Sequence, residues 1–449
     1  MTEKNSFDKD ISPMLKTTGA NSIEDLFSDI GRELRCEDLK IEGGLSEFEV
    51  LDRLKAISRK NRKPAMSFSG GGFYRHIIPA AVDSISSMGD FYTAYTPYQA
   101  ECSQGTLQAM FEYQSAVSEL TGMEIANASL YDGGTALAEA VLMSMRLNSK
   151  NKVVICEGVN PLYRKIIKTY LHNTAADLVE IPLDNLNCDF DAFKNEADET
   201  TSCIVYQSPN FFGSLEDGSA VSDIAHSAGA ISIAGFNPLS LGILKTPGEC
   251  GADIAAGEGQ PLGLPLSGGG PYLGILASKK KFIRKLPGRI VAETKGEKGK
   301  KGYVLTLQAR EQHIRRQRAT SNICTNQNLC ALRALVFLSL LGNEGMRELA
   351  SDNYNCAHGA AEILSAVEGV SVSNDAFFNE FCLKLPVSAS SVYEMLIAKD
   401  IEAGVLPGEY YKGMNNLLIA AFTEKTTKED ILRFSSELKT AVDKQRKKR

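Results

Sequence analysis

The sequence predicts an α/β protein with a large, mostly parallel-sheet domain followed by a smaller C-terminal α+β domain. Three observations carry this. Short β-rich apolar runs alternate with helical patterns from about residue 105 onward, the mark of a parallel sheet with helices on both faces. Loops rich in Gly and Pro follow those runs, where open α/β sheets place their ligands. From about 327 the pattern changes to helices and then shorter strands with helices between them.

Residues 1–104 read as an N-terminal helical and interface segment. Leu45, Phe48, Leu51 and Leu54 recur every three residues, which suits an amphipathic helix. Phe68 to Gln104 is rich in Gly, Tyr and Pro and lacks regular periodicity; such stretches are usually functional or pack at an interface. Residues 105–325 form the large domain. Thr106 to Thr121 is helical. "YDGGT" (Tyr131 to Thr135) opens a helix whose Leu137, Ala138, Val141, Leu142 and Met145 share a face. "KVVIC", "DLVEIP", "SCIVYQS", "AISIAGF", "GADIAAG" and "YLGILAS" are strands, and "PLYRKIIKTYLH" and "AVSDIAHSAG" are helices between them. "KGEKGKKG" is an exposed turn. Residues 326–449 form the C-terminal domain, with strands at "VSVS", "FNEFCLKL" and "NLLIAAF". Its last helix starts near Thr426, with Glu429 at capping-box spacing.

Composition excludes several classes. A net charge of −6 and a pI near 5.6 argue against a nucleic-acid binder. The tail "KQRKKR" reads as a solvated end. No apolar run reaches a membrane span's length, and the polar N-terminus has no signal-like core. The ten cysteines are scattered without a CxxC pair, which argues against a disulfide framework and for a reducing cytoplasm. Cys156 and Cys203 sit in apolar runs and read as buried thiols. The five histidines show no metal-ligand spacing, so no metal site is expected.

Three stretches could carry chemistry. The amides at the start of the "YDGGT" helix could hold a phosphate or carboxylate; a tight turn with Thr135 as N-cap is the plainer reading. "FYTAYTPYQAECSQGT" (Phe91 to Thr106) gathers four aromatics with hydroxyl and amide groups, suited to a pocket wall or an interface. Its Cys102 has no evident His partner. "RATSNICTNQ" (Arg318 to Gln327) offers short polar side chains for capping or anion binding. Between them lies "GADIAAGEGQPLGLPLSGGGPYLG" (Gly251 to Gly274), a ligand-shaped loop whose ionisable groups are only Asp253, Glu258 and Tyr272.

With "YTPYQAECSQGTLQAMFEYQ", "LYDGGTALAEA" and "GYVLTLQAREQHIRRQRATSNICTNQ", that loop resembles the P-protein of the glycine cleavage system. In particular it resembles subunit 1, the α subunit of the split glycine dehydrogenase (decarboxylating), from about residue 10 to about 440. The resemblance implies the pyridoxal phosphate (PLP)-dependent transferase fold of type I, aspartate-aminotransferase-like. It also implies an enzyme subunit, inactive alone. With a lysine-bearing subunit it decarboxylates glycine and passes the aminomethyl group to the lipoyl group of H-protein.

Set beside the catalytic pattern His-Lys-Thr-x-x-x-Pro, the Schiff-base lysine position falls on Gln260. No lysine occurs between Lys245 and Lys279. Ala234 stands where the aspartate that pairs with the pyridine nitrogen belongs. A Schiff base needs a primary amine, so no PLP is expected covalently in this chain. The partner, subunit 2, holds it in an α2β2 assembly, and no catalytic residue is expected here. The resemblance further implies Tyr95, Thr96, Tyr98, Gln99, Glu101 and Gln104 as substrate-side and interface contacts. It implies Thr320, Ser321 and Asn322 for the partner's PLP phosphate. Gly133, Gly134, Thr135, Ala234 and Gln260 line a vestigial pocket. Arg75 and Ala292 depart from the family pattern. Two other readings are a non-catalytic subunit that stabilises the partner or recruits H-protein, and an independent PLP enzyme, which lacks an obvious lysine.

Overall fold

The computed structural model describes residues 8–36, 41–296 and 299–447. The polar N-terminus before Asp8, Glu297 and Lys298 of the basic turn, and the last two residues of the basic tail lie outside them. The chain divides into two units, Met1–Lys63 and Pro64–Arg449. In the first, the expected amphipathic helix forms over Glu47–Ser58, opened by a capping box between Ser46 and Glu49. Its Phe48, Leu51 and Leu54 are exposed.

The second unit is built on a seven-stranded sheet. Its strands are β1 (Ile125–Ala126), β2 (Lys152–Cys156), β3 (Asp177–Ile181), β4 (Thr201–Ser208), β5 (Ile231–Phe236), β6 (Ile254–Glu258) and β7 (Gly274–Ser278). They lie in the order β1-β7-β6-β5-β4-β2-β3. β3, β2, β4, β5 and β6 are parallel, and β7 runs antiparallel to β6 and β1. The helices used below are α1 (Gln104–Thr121), α2 (Gly133–Asn148), α3 (Pro161–Leu171), α4 (Gly218–Ser227), α5 (Asn328–Ser365) and α6 (Lys428–Arg446).

Alternation along the buried strands feeds two cores. Val153 and Ile155 join Leu137, Ala138 and Val141 of α2 on one face. Val154 and Cys156 join Val221 and Ala225 of α4 and Phe337 of α5 on the other. That explains the unbroken apolar runs in the sequence: both faces are covered.

The C-terminal core joins an antiparallel sheet, Ser371–Val372, Glu380–Lys384 and Leu417–Ala421, to α5 and α6. Residues 64–104, grouped by sequence with the N-terminal segment, belong to this second unit. Met66–Ser67 pairs in parallel with Ile401–Glu402, and Phe68 stacks on Phe434 at 4.5 Å. α5 has the length and apolar composition of a membrane span. Its apolar residues serve two cores, Ala334 and Phe337 in one and Ala357 and Leu364 in the other. The helix breaks at Gly342 (φ 58°, ψ −168°), and beyond the break Met346 and Ala350 still belong to the first core, with Ala357 the first of its buried residues in the second.

Two expected caps move. Asp132, not Thr135, caps α2, accepting from the Thr135 N–H at 2.7 Å. Thr427 and Asp430, not Thr426 and Glu429, form the capping box of α6. Both spacings are three residues, so only the backbone direction decides between them. Around the basic turn, Ile290–Lys295 and Lys301–Thr306 form an antiparallel hairpin.

Candidate functional site

The first turn of α2 meets the carboxyl end of β6, and a protein carboxylate occupies the place between them. Glu258 Oε2 accepts from the Gly133 N–H at 2.9 Å. Its Oε1 accepts from the N–H groups of Gln260 at 2.9 Å and Leu273 at 3.1 Å. The helix-start amides, ready for an anion, are met from inside the chain. A Cβ on Gly133 would lie 2.9 Å from the Glu258 backbone nitrogen, and one on Gly134 2.5 Å from Ile166. Both glycines are therefore set by close approach. Burial pushes the Glu258 carboxyl up to about 8, against the opposing pull of those three N–H groups.

Gln260 is also spent on structure. Its Oε1 accepts from the Tyr74 N–H at 2.9 Å, while Nε2 donates to the Tyr74 carbonyl at 3.0 Å and the Leu264 carbonyl at 2.9 Å. Tyr74 Oη donates to Glu380 at 2.9 Å, and Glu380 also accepts from the Gly71 N–H at 2.6 Å. Burial pushes the Glu380 carboxyl up to about 7. The cavity left among Tyr74, Gly133, Tyr163, Phe236 and Glu258 is about 20 Å³, room for about one or two waters. These residues do not fit PLP: there is no amine, the anion cradle is taken, and the volume is far too small.

Ala234 does not join this pocket. β5 alternates, so Ile233 faces α2 while Ala234 faces α4. Ala234 lines a separate cavity of about 180 Å³ at the start of α4. Thr135 is buried in the first turn of α2.

The other predicted residues form a second, open surface. A groove of about 490 Å³ is lined by Tyr98, His313, Arg316, Asn322 and Cys324. Thr320 and Ser321 line a small polar cleft beside it, with Arg289 and Arg310. The structure thus brings Tyr98 and Thr320–Asn322 together. Tyr95, Gln99 and Glu101 are exposed and Thr96 partly so, outside that lining. Gln104 is exposed, and its side-chain amide is bonded to backbone. Its Oε1 accepts from the Tyr303 N–H at 2.9 Å, and its Nε2 donates to the carbonyls of Tyr303 at 2.8 Å and Ala100 at 2.7 Å. Arg75 is exposed, and Ala292 sits in the hairpin, paired with Val304.

Cys156, Cys188 and Glu216 bring ligand-type atoms within 4.8 Å of one another. Glu216 already accepts from the Cys188 N–H and from Asn210, and burial raises the Cys188 thiol. The cluster is a hydrogen-bonded core element. Sequence reasoning missed Arg289 and the roles of Glu258 and Tyr74. The one available signal for Glu258 was an acid among glycines in a stretch whose other ionisable groups are only Asp253 and Tyr272.

The chain matches the family model described as glycine cleavage system P-protein over residues 5–438. It is 52% identical over 434 residues to a chain from Citrifermentans bemidjiense named probable glycine dehydrogenase (decarboxylating) subunit 1, covering 96% of this chain and 98% of that one. A relative of the same name from Geotalea daltonii is 50% identical over 435 residues, covering 97% and 98%. Among solved structures, an inhibitor-bound glycine decarboxylase (P-protein) of the glycine cleavage system superposes with a TM-score of 0.91 at 43% identity, covering 98% of this chain and 100% of that one. A sphingosine-1-phosphate lyase from Burkholderia pseudomallei shares the fold alone, with a TM-score of 0.68 at 14% identity over 93% of this chain and 95% of its own.

Proposed function

The chain belongs to the glycine cleavage system P-protein family, and from that premise we propose that it is the cofactor-free subunit 1 of a heteromeric glycine decarboxylase. With a lysine-bearing subunit 2 in an α2β2 assembly it decarboxylates glycine. The aminomethyl group passes to the lipoyl group of H-protein. The observation that carries this division of labour is Gln260. An amide stands at the lysine position with both its ends bonded to backbone, and Glu258 fills the neighbouring cradle. PLP belongs, in this reading, to the partner alone.

This chain's contribution is a surface. Tyr98 presents a phenol at the open groove, with Tyr95, Thr96, Gln99 and Glu101 around it as interface contacts. Thr320, Ser321 and Asn322 offer hydroxyl and amide groups to the partner's PLP phosphate. Donors fixed before substrate arrives cost no reorganisation during the reaction. A cytoplasmic location goes with this reading, with no nucleic-acid or membrane partner.

The test is reconstitution. The full chain is mixed with the PLP-bearing subunit, PLP, glycine and lipoylated H-protein, and exchange of the glycine carboxyl with bicarbonate is measured. Exchange in the mixture and not in either subunit alone is expected. Exchange by this chain alone would overturn the reading of Gln260.

A further inference from the structure

The groove beside Tyr98 has a buried cation behind it. Arg289 opens the hairpin and is 5% exposed. Its Nη2 donates to the Cys324 carbonyl at 2.6 Å and its Nη1 to Asn326 Oδ1 at 3.3 Å. Both acceptors lie just after the Thr320–Asn322 turn. The guanidinium carbon also lies 5.8 Å from the centroid of the Tyr98 ring. Gly288 delivers the side chain there. It has φ +76°, and a Cβ on it would come within 3.0 Å of Asn127.

Tyr98 is otherwise held at one edge, by the His313 ring at 5.9 Å and 72°. The residue is 52% exposed, and among the described residues its hydroxyl makes no hydrogen bond. One planar cation therefore reaches two stretches far apart in the chain. It holds the ring through its face and the turn through its fork of donors. A lysine could do one of these but not both.

We infer that Arg289 is a positioning residue for the shared site. It locks the Tyr98 ring to the Thr320–Asn322 turn, so that the phenol hydroxyl faces the partner's active site at a fixed place. This rests on the site-completing reading above. The plain alternative is that Arg289 only supports the loop.

A double-mutant cycle separates the two. The full chain is reconstituted with the PLP-bearing subunit, and kcat and KM for glycine are measured in the exchange reaction. The variants are Arg289→Gln, Arg289→Lys, Tyr98→Phe and the pair Arg289→Gln with Tyr98→Phe. Arg289→Gln is expected to lower kcat on the order of tenfold while still co-eluting with the partner. In the Tyr98→Phe background the same change should cost less than about twofold. Arg289→Lys should recover part of the loss, because it keeps the cation. Equal losses in both backgrounds would overturn the inference, as would a kcat loss that only tracks lost co-elution. If Arg289→Gln does not fold, Arg289→Lys in the two backgrounds gives the same comparison. An unchanged rate for Tyr98→Phe alone is a different result: it removes the site-completing role of Tyr98, and the inference with it.

Discussion

Gln260 grips the backbone of Tyr74 at two points, accepting from its N–H at 2.9 Å and donating to its carbonyl at 3.0 Å. The bond pair resembles one rung of a sheet made by a side chain. It ties the loop after β6 to the 71–76 stretch, which Glu380 holds to the C-terminal domain. The Gln260 side chain is a strut that needs both a donor and an acceptor.

Gln260→Lys should therefore not create a cofactor site. An ammonium offers no acceptor, so the Tyr74 N–H is left buried and unpaired, and a charge is added with no carboxylate bonded to it. The cost should be at least about 2 kcal/mol, read as a lower urea midpoint. The variant should also give no borohydride-reducible adduct with PLP. A stable variant that traps PLP would show that the pocket can open.

Glu258 predicts a pH dependence. Its carboxyl is raised from 4.5 to about 8 by burial. Between those values the folded chain holds a proton that the unfolded chain has released. Stability should then fall as pH rises through that window and level off above it. The size should be on the order of 3–5 kcal/mol, limited by the three N–H groups. Glu258→Gln removes this slope, although it pays a pH-independent cost for turning an NH2 toward an amide. Urea midpoints at the two ends of the window, compared between the parent and the variant, test it. Parallel pH profiles would mean that the carboxylate stays ionised against the cradle.

Gln104→Ala should separate packing from substrate contact. The amide holds the hairpin at Tyr303 through both its ends. Its loss leaves the Tyr303 N–H without that acceptor, for about 1–3 kcal/mol. The reconstituted enzyme should keep its KM for glycine. A raised KM with unchanged stability would return Gln104 to the substrate side.

The fold was largely legible because β2, β4 and β5 are buried on both faces and so read as continuous apolar runs. The hairpin at 290–306 was not. Its outer strand ends are charged, with Glu293 paired to Lys301 at 2.7 Å, and this hides the alternation. That Gln260 takes the lysine position is what the family pattern implies, while its grip on the Tyr74 backbone has no mark in the sequence. Ala234 could not be placed, because which way a strand residue points depends on its register. Arg289 was invisible for a further reason. Its meaning lies in contacts with Tyr98, Cys324 and Asn326, and no local pattern marks them.

One substitution at two helix starts should give opposite signs. Gly105 is the second residue of α1, and a Cβ there meets nothing within 4 Å. Gly105→Ala should stabilise by up to about 1 kcal/mol, because alanine loses less backbone entropy on joining a helix. Gly133 is the first residue of α2, where the same propensity gain applies. There the added Cβ would sit 2.9 Å from the Glu258 backbone nitrogen, its Cβ and the Tyr163 hydroxyl. Backbone cannot swing aside as a long side chain can, so β6 and the helix must part and the Glu258 bond to the Gly133 N–H lengthens. Gly133→Ala should cost about 1–3 kcal/mol. Thermal unfolding of the two variants decides it: Tm should rise for Gly105→Ala and fall for Gly133→Ala. A rise in both would mean that the cradle is looser than its hydrogen bonds imply, and that Glu258 is not clamped against the helix.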